Sequence, residues 1–128
     1  GNPLAMAAGL TTLKLLEDGS VFNSINNFTA TLAEQLKEVA AKHNVPVTIN
    51  QIGSMFSIFF TEQNVSTFED VLTCNLDRFT MYFNEMLHQG IFLPPSQFEA
   101  CFTSIKHQDD QLEKTIIAFE KFLLKLNV

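Results

Sequence analysis

The sequence predicts an α+β fold in which helices pack on a short, mainly antiparallel sheet. Long stretches carry apolar residues at helical spacing, as in the segment 20–42. Two strand-like runs, 47–52 and 55–60, are joined by the short connector Gly53-Ser54, which favours an antiparallel hairpin. The chain then adds one or two helices, a return to the sheet and a closing helix, as expected for one α+β domain spanning residues 1–128.

The first predicted helix spans residues 3–17 and begins at once. Asn2 is a good N-cap, and Pro3 is favoured at the first helical position. A natural chain rarely begins on a helix cap. We therefore expect these residues to be part of a longer protein.

A second, longer helix is predicted from Ser20 to about Lys42. Gly19 suits the left-handed turn that ends the first helix, and Ser20 is expected to cap the second. Glu38 and Lys42 stand four residues apart on its polar side and are expected to pair. His43 follows as a residue of the last turn, where the helix dipole favours a cation.

The rest of the chain predicts shorter elements. The sequence Ser-Thr-Phe-Glu at 66–69 has the form of a capping box, which marks a helix start. The pair Pro94-Pro95 forbids helix continuation and removes two backbone donors. In order, the predicted elements are a helix at 67–72, a helix from Leu76 to about Gln89, strands at 91–93 and 100–104, and a last helix that begins at Asp109.

Composition excludes several classes of function. The net charge of −6, with one arginine and no basic cluster, argues against a nucleic-acid partner. No apolar run approaches the roughly 20 residues of a membrane span, and we expect a cytoplasmic protein with no membrane partner. The apolar fraction of 46% and the 13 phenylalanines indicate a domain that buries part of its surface against something else.

The reactive side chains do not assemble a complete active site in the sequence. Cys74 and Cys101 are expected to be free, buried thiols, and no metal-ligand spacing occurs. Cys101 with His107 is the only nucleophile–base pair to consider, and nothing marks the thiol as activated. Asp109 and Asp110 could pair with a nearby carboxylate, but helix-start roles explain them better. None of the lysines suits a Schiff base.

The segment 90–104 mixes backbone breaks, polar side chains and strand-like residues. Ser96, Gln97 and Glu99 stand among phenylalanines there. A carboxylate between aromatic residues is either solvated by a tight turn or held at a functional site. From the residues alone, both interpretations of Glu99 remain open.

Several motifs resemble one family of enzymes. Residues 1–9, Gly-Asn-Pro-Leu-Ala-Met-Ala-Ala-Gly, resemble the segment that opens the small C-terminal domain of class-III pyridoxal-phosphate aminotransferases. Residues 95–100, Pro-Ser-Gln-Phe-Glu-Ala, resemble the C-terminal signature of the glutamate-1-semialdehyde 2,1-aminomutases, a branch of that family. The segments 53–56 and 59–61 fit the same branch in the right order. The resemblance covers essentially the whole chain.

The resemblance implies an architecture and an activity for the full-length enzyme. It implies a homodimer of fold type I, in which a large cofactor domain lies beside this small one. The enzyme isomerises glutamate-1-semialdehyde to 5-aminolevulinate, a tetrapyrrole precursor, with pyridoxal 5′-phosphate carrying the chemistry. The family's cofactor lysine belongs to the large domain. We therefore expect no catalytic or cofactor-binding residue in this chain, no cofactor bound to it and no activity from it alone.

The resemblance also assigns site residues. The family's carboxylate at the position of Glu99 faces the active-site cavity and helps to hold the substrate, while Ser96 and Gln97 are candidates for shaping the same rim. Gln108 departs from the family, where a Ser or Thr helix cap is usual. Two alternatives stay open for the chain as a whole: the small domain of another class-III aminotransferase, such as one acting on an ω-amine, and a free-standing interaction or dimerisation module.

Overall fold

The computed structural model describes residues 1–126 and confirms the α+β class. Among these residues, one antiparallel sheet of three strands is formed, and its strands lie side by side in chain order. The elements are α1 (Pro3–Leu16), α2 (Ser20–Lys42), β1 (Thr48–Ile52), β2 (Met55–Phe59), α3 (Phe68–Leu72), α4 (Leu76–His88), β3 (Cys101–Phe102) and α5 (Asp109–Leu126).

The predicted hairpin is present, with the register set by a two-residue connector. Ile52 pairs with Met55 across Gly53-Ser54, and Gly53 takes a left-handed φ of 57° that glycine adopts without strain. Because side chains alternate along a strand, one face of the hairpin turns to the core. Its buried residues are Ile49, Phe56 and Ile58.

The core lies between that sheet face and the helices α2, α4 and α5. Tyr82 of α4 is fully buried at its centre, with edge-to-face ring contacts to Phe60, Phe119 and Phe122. Burial raises the pKa of Tyr82 far above its ordinary value, so the phenol stays neutral. Leu36 of α2 and other aliphatic side chains complete the core.

Two helix starts differ from the predictions. Ser20 is the first residue of α2 instead of its cap: Gly19 takes the cap position with φ 73°, and the Asp18 carboxylate accepts from the backbone N–H of Ser20. The capping box of α3 is formed by Thr67 and Asp70, one residue later than predicted. In both places a neighbouring aspartate outcompetes the predicted residue, because its carboxylate reaches the free N–H groups.

Two other predictions are wrong. Residues 91–93 do not form a strand: Ile91 donates its N–H back to the carbonyl of Met86, which closes α4, and the prolines that follow cannot extend a ladder. Lys42 does not pair with Glu38. Its Nζ lies 2.8 Å from Oε1 of Glu120 on α5, a residue that no local pattern could indicate.

Helix α1 stands apart from the core. None of its residues is buried, and only Leu16, next to the turn into α2, is partly shielded from solvent. Its apolar side chains are exposed, as are Ile52 and Phe102 on the outer face of the sheet. None of the described helices combines the length and apolar character that crossing a membrane requires.

Candidate functional site

The predicted site residues lie on one tight turn. The carbonyl of Ser96 accepts from the N–H of Glu99 at 3.1 Å, which closes a four-residue turn over 96–99. The hydroxyl of Ser96 also accepts from the N–H of Phe98 at 3.2 Å. Gln97 and Phe98 are therefore the central residues of the turn, and Glu99 is its fourth and last residue.

Gln97 points into the protein. Its side chain is only 5% exposed, and its Nε2 donates to the carbonyl of Val71 in α3 at 3.3 Å. That carbonyl also accepts from the backbone N–H of Cys74 at 3.1 Å, so Gln97 is an additional donor at the end of α3. Neither Gln97 nor Ser96 lines the cavity that Glu99 borders, and the observed role of Gln97 is to support the turn; a rim role for the two residues stays a prediction.

Glu99 is exposed and borders a cavity of about 400 Å³. Within the described residues, Glu99 is the only carboxylate that lines this cavity, and no lysine or arginine lines it. The walls come from α2, the sheet, the segment 91–100 and the start of α5. They are mostly apolar and include Phe28, Leu32, Phe56, Ile91, Leu93 and Phe102.

A polar contact between α2 and the residue after β3 fixes another part of the cavity lining. Thr29 of α2 is fully buried, and its hydroxyl lies 2.6 Å from that of Thr103, just after β3. The N–H of Thr103 donates to the carbonyl of Ser54 at 2.9 Å. The position of Thr29 within the apolar stripe of α2 is the one sequence signal for this contact.

Cys101 and His107 both line the cavity but do not form a nucleophile–base pair. Burial raises the pKa of the Cys101 thiol to about 11, so it stays protonated at neutral pH. The Nδ1 of His107 accepts from the N–H of Ser104 at 2.9 Å, and the ring stacks on Phe28. His107 therefore shapes a turn. Both thiols of the chain are free, as predicted.

The start of α5 is capped from within the helix. The N–H of Gln108 donates to Oε1 of Gln111 at 2.9 Å. Asp109 and Asp110 are exposed in the first turn of α5, in the helix-start role that the sequence predicts. The Gln111 side chain thus partners the backbone N–H at position 108, and no Ser or Thr cap is needed to satisfy it.

The residues present do not fit pyridoxal phosphate by themselves. The cofactor needs a lysine amine with a lowered pKa and cationic or N–H groups around its phosphate. Within residues 1–126, no lysine and no arginine lines the cavity. Lys42 and Lys125 are largely exposed and engaged in ion pairs on helix surfaces. Among the same residues, no group of three or more potential metal ligands converges.

Comparison of the sequence with known proteins gives consistent relatives. Residues 1–123 match the family model described as aminotransferase class-III. The chain is 48% identical over 94% of its length to a glutamate-1-semialdehyde 2,1-aminomutase 2 of Oceanobacillus iheyensis, and 45% identical over 99% to that of Anoxybacillus flavithermus. It spans only 28% and 29%, respectively, of the lengths of these relatives.

Solved structures show the same fold. An omega-transaminase from Sphaerobacter thermophilus matches the whole chain with a TM-score of 0.79 at 21% identity, over 29% of its own length. A glutamate-1-semialdehyde-aminomutase from Pseudomonas aeruginosa PAO1 matches 83% of the chain with a TM-score of 0.71 at 16% identity, over 23% of its own length. Since the family model matches nearly the whole chain, this protein belongs to the class-III aminotransferase family.

Proposed function

We propose that these residues are the C-terminal small domain of a glutamate-1-semialdehyde 2,1-aminomutase, an isomerase that converts glutamate-1-semialdehyde to 5-aminolevulinate for tetrapyrrole synthesis. One observation carries the proposal: relatives with that name are 45–48% identical over at least 94% of this chain. The fold alone does not select this activity, because an omega-transaminase shares it.

The proposal divides the work between two parts of one polypeptide. The relatives are more than three times as long as this chain. We assign the cofactor lysine and the phosphate site to a large domain outside these residues, since the residues here do not fit pyridoxal 5′-phosphate. That cofactor would supply the amine-transfer chemistry in the whole enzyme. This chain alone is then inactive and binds no cofactor. The homodimer and the cytoplasmic location remain predictions.

Glu99 is the residue of this chain that we assign to the substrate. Its carboxylate leaves a tight turn at the edge of a cavity, and no ion pair within residues 1–126 engages it. A free carboxylate can accept hydrogen bonds from an ammonium group, and such charge-assisted bonds are the stronger kind. Glu99 would hold the amine end of the substrate, and Ser96 and Gln97 would contribute by shaping the turn that presents it.

Turnover by the full-length protein tests the proposal. The complete reading frame is expressed with pyridoxal phosphate, and glutamate-1-semialdehyde is supplied as the only amino substrate. We expect 5-aminolevulinate to form with no second amino donor, because the reaction is an isomerisation. A protein that requires an ω-amine donor and leaves glutamate-1-semialdehyde unchanged would instead be another class-III aminotransferase. A reading frame without a cofactor-lysine domain would identify a free-standing module.

A further inference from the structure

The turn that presents Glu99 is attached to one short helix at two points. Gln97 donates to the carbonyl of Val71, near the carboxyl end of α3. Phe98 packs its ring on Phe68, the first residue of α3, with ring centroids 5.4 Å apart. Both central residues of the turn therefore contact the same five-residue helix. Two contacts at opposite ends of α3 restrict rotation of the turn as well as its translation.

Helix α3 is itself held at its start. The Asp70 carboxylate accepts from the N–H groups of Ser66 and Thr67, each at 2.8 Å. In return the Thr67 hydroxyl accepts from the N–H of Asp70 at 3.2 Å. A helix of one to two turns is marginal without tertiary support, and a capping box supplies local stability. This reciprocal cap makes α3 a defined support.

We propose that α3 sets the position of the Glu99 carboxylate. Gln97 and Phe98 act as positioning residues, because they attach the turn to α3. The inference rests on the proposed function, because it assumes that Glu99 contacts the substrate. Glu99 follows directly after the two anchored residues, and its N–H closes the turn onto Ser96. The Thr29–Thr103 contact holds the chain on the far side. Glu99 thus lies between two anchored points.

The test is a double-mutant cycle in the full-length holoenzyme. Gln97→Met keeps the length of the side chain and removes its donor, and Glu99→Gln removes the charge. A displacement of about 1 Å can cost up to about a hundredfold in rate, and we expect Gln97→Met to lower kcat/KM about tenfold. In the Glu99→Gln background the same substitution should cost less than about twofold, because coupled residues are not additive. Gln63→Met, at an exposed position outside the turn, is the matched control.

A second pair of variants approaches the turn from the helix side. Phe68→Ala removes the ring under Phe98 and should lower kcat/KM, whereas Phe68→Tyr keeps the ring and should restore it. In the double-mutant cycle, an equal loss of kcat/KM from Gln97→Met in the wild-type and the Glu99→Gln backgrounds overturns the inference. So does a Glu99→Gln variant with wild-type kinetics, because Glu99 would then have no role to position.

Hydrogen exchange separates this inference from the proposed function. The Glu99 amide is bonded within the turn, and we expect it to exchange at least about tenfold faster in Gln97→Met than in the full-length wild type. An unchanged exchange rate overturns the support by α3, whatever the activity. If the wild type converts no glutamate-1-semialdehyde, the proposed function fails, and faster exchange still shows that α3 holds the turn.

Discussion

Lys42, the last residue of α2, lies with its Nζ 2.8 Å from Oε1 of Glu120 on α5. The Nε2 of His43 lies 3.0 Å from the same oxygen. One carboxylate thus joins the end of α2 to a helix 78 residues further along the chain. Hydrogen bonds from Lys42 and His43 hold the pKa of Glu120 below its ordinary value. Lys125 and Gln89 lower the pKa of Glu85 in the same way.

The lowered pKa values of Glu85 and Glu120 predict how the free energy of unfolding changes at acid pH. A carboxyl whose pKa is lower in the folded state stabilises the protein above its unfolded pKa, and this contribution disappears as pH falls through the folded pKa. We therefore expect the free energy of unfolding to decrease as pH falls below the ordinary Glu value of 4.5. Urea unfolding at a series of pH values measures it.

Glutamine variants provide the control for that profile. Glu120→Gln should flatten the dependence on pH, because its side chain no longer titrates. Glu38→Gln lies on the exposed side of α2, where the predicted pair is not formed, and should leave the profile as it is. A profile of Glu120→Gln that superimposes on the wild type would contradict the assignment.

Leu123 and Leu124 give a matched pair for testing the core. Leu123 is 0% exposed, whereas its neighbour is 53% exposed. Leu123→Ala should lower the free energy of unfolding by about 2–5 kcal/mol, since it loses apolar burial and leaves a cavity. Leu124→Ala should change it by less than about 0.5 kcal/mol. Equal effects in chemical denaturation would mean that α5 is packed on a different face.

Substitution of Glu99 separates a substrate contact from a structural role. Glu99→Gln in the full-length enzyme should reduce turnover or retention of the reaction intermediate, while the midpoint of urea unfolding changes little, because the side chain is exposed. Steady-state kinetics and the unfolding midpoint are measured on the same preparation. Wild-type kinetics with unchanged release of the intermediate would leave Glu99 as a turn residue only.

The isolated chain should not form a specific lysine adduct with pyridoxal phosphate. Its lysines are exposed on helix surfaces or in a turn, and none lines the cavity within the described residues. After borohydride reduction, mass spectrometry should find weak labelling spread over several lysines. Stoichiometric labelling of a single lysine would show that this chain holds a cofactor site.

The helices and the hairpin could be predicted because their signals are local. Repeated apolar spacing predicted α2, α4 and α5 with bounds close to those observed, and Gly53-Ser54 predicted the turn of the hairpin. The segment 91–93 has strand-like residues but no neighbouring strand to pair with. Propensity describes a residue's fit to a pleated surface, and only tertiary pairing decides whether that surface exists.

The site roles of Ser96, Gln97 and Glu99 stay predictions, whereas the local structure of their segment is observed. The segment carrying Ser96, Gln97 and Glu99 was recognised from its sequence, and the structure brings these residues together on one turn. The burial of Gln97 against α3 could not be predicted, because Val71 lies 26 residues away in sequence. An amide side chain suits a solvated rim and a buried carbonyl partner equally well.

The position of α5 has a consequence for synthesis of the protein. Phe119, Phe122 and Leu123 complete a core whose other walls are α2, the hairpin and α4. Ribosomes add roughly 5–20 residues per second from the N-terminus, so α2 and the hairpin emerge seconds before α5. During that interval their apolar faces have no partner on α5. We therefore expect the nascent chain to expose apolar surface until α5 emerges and closes the core.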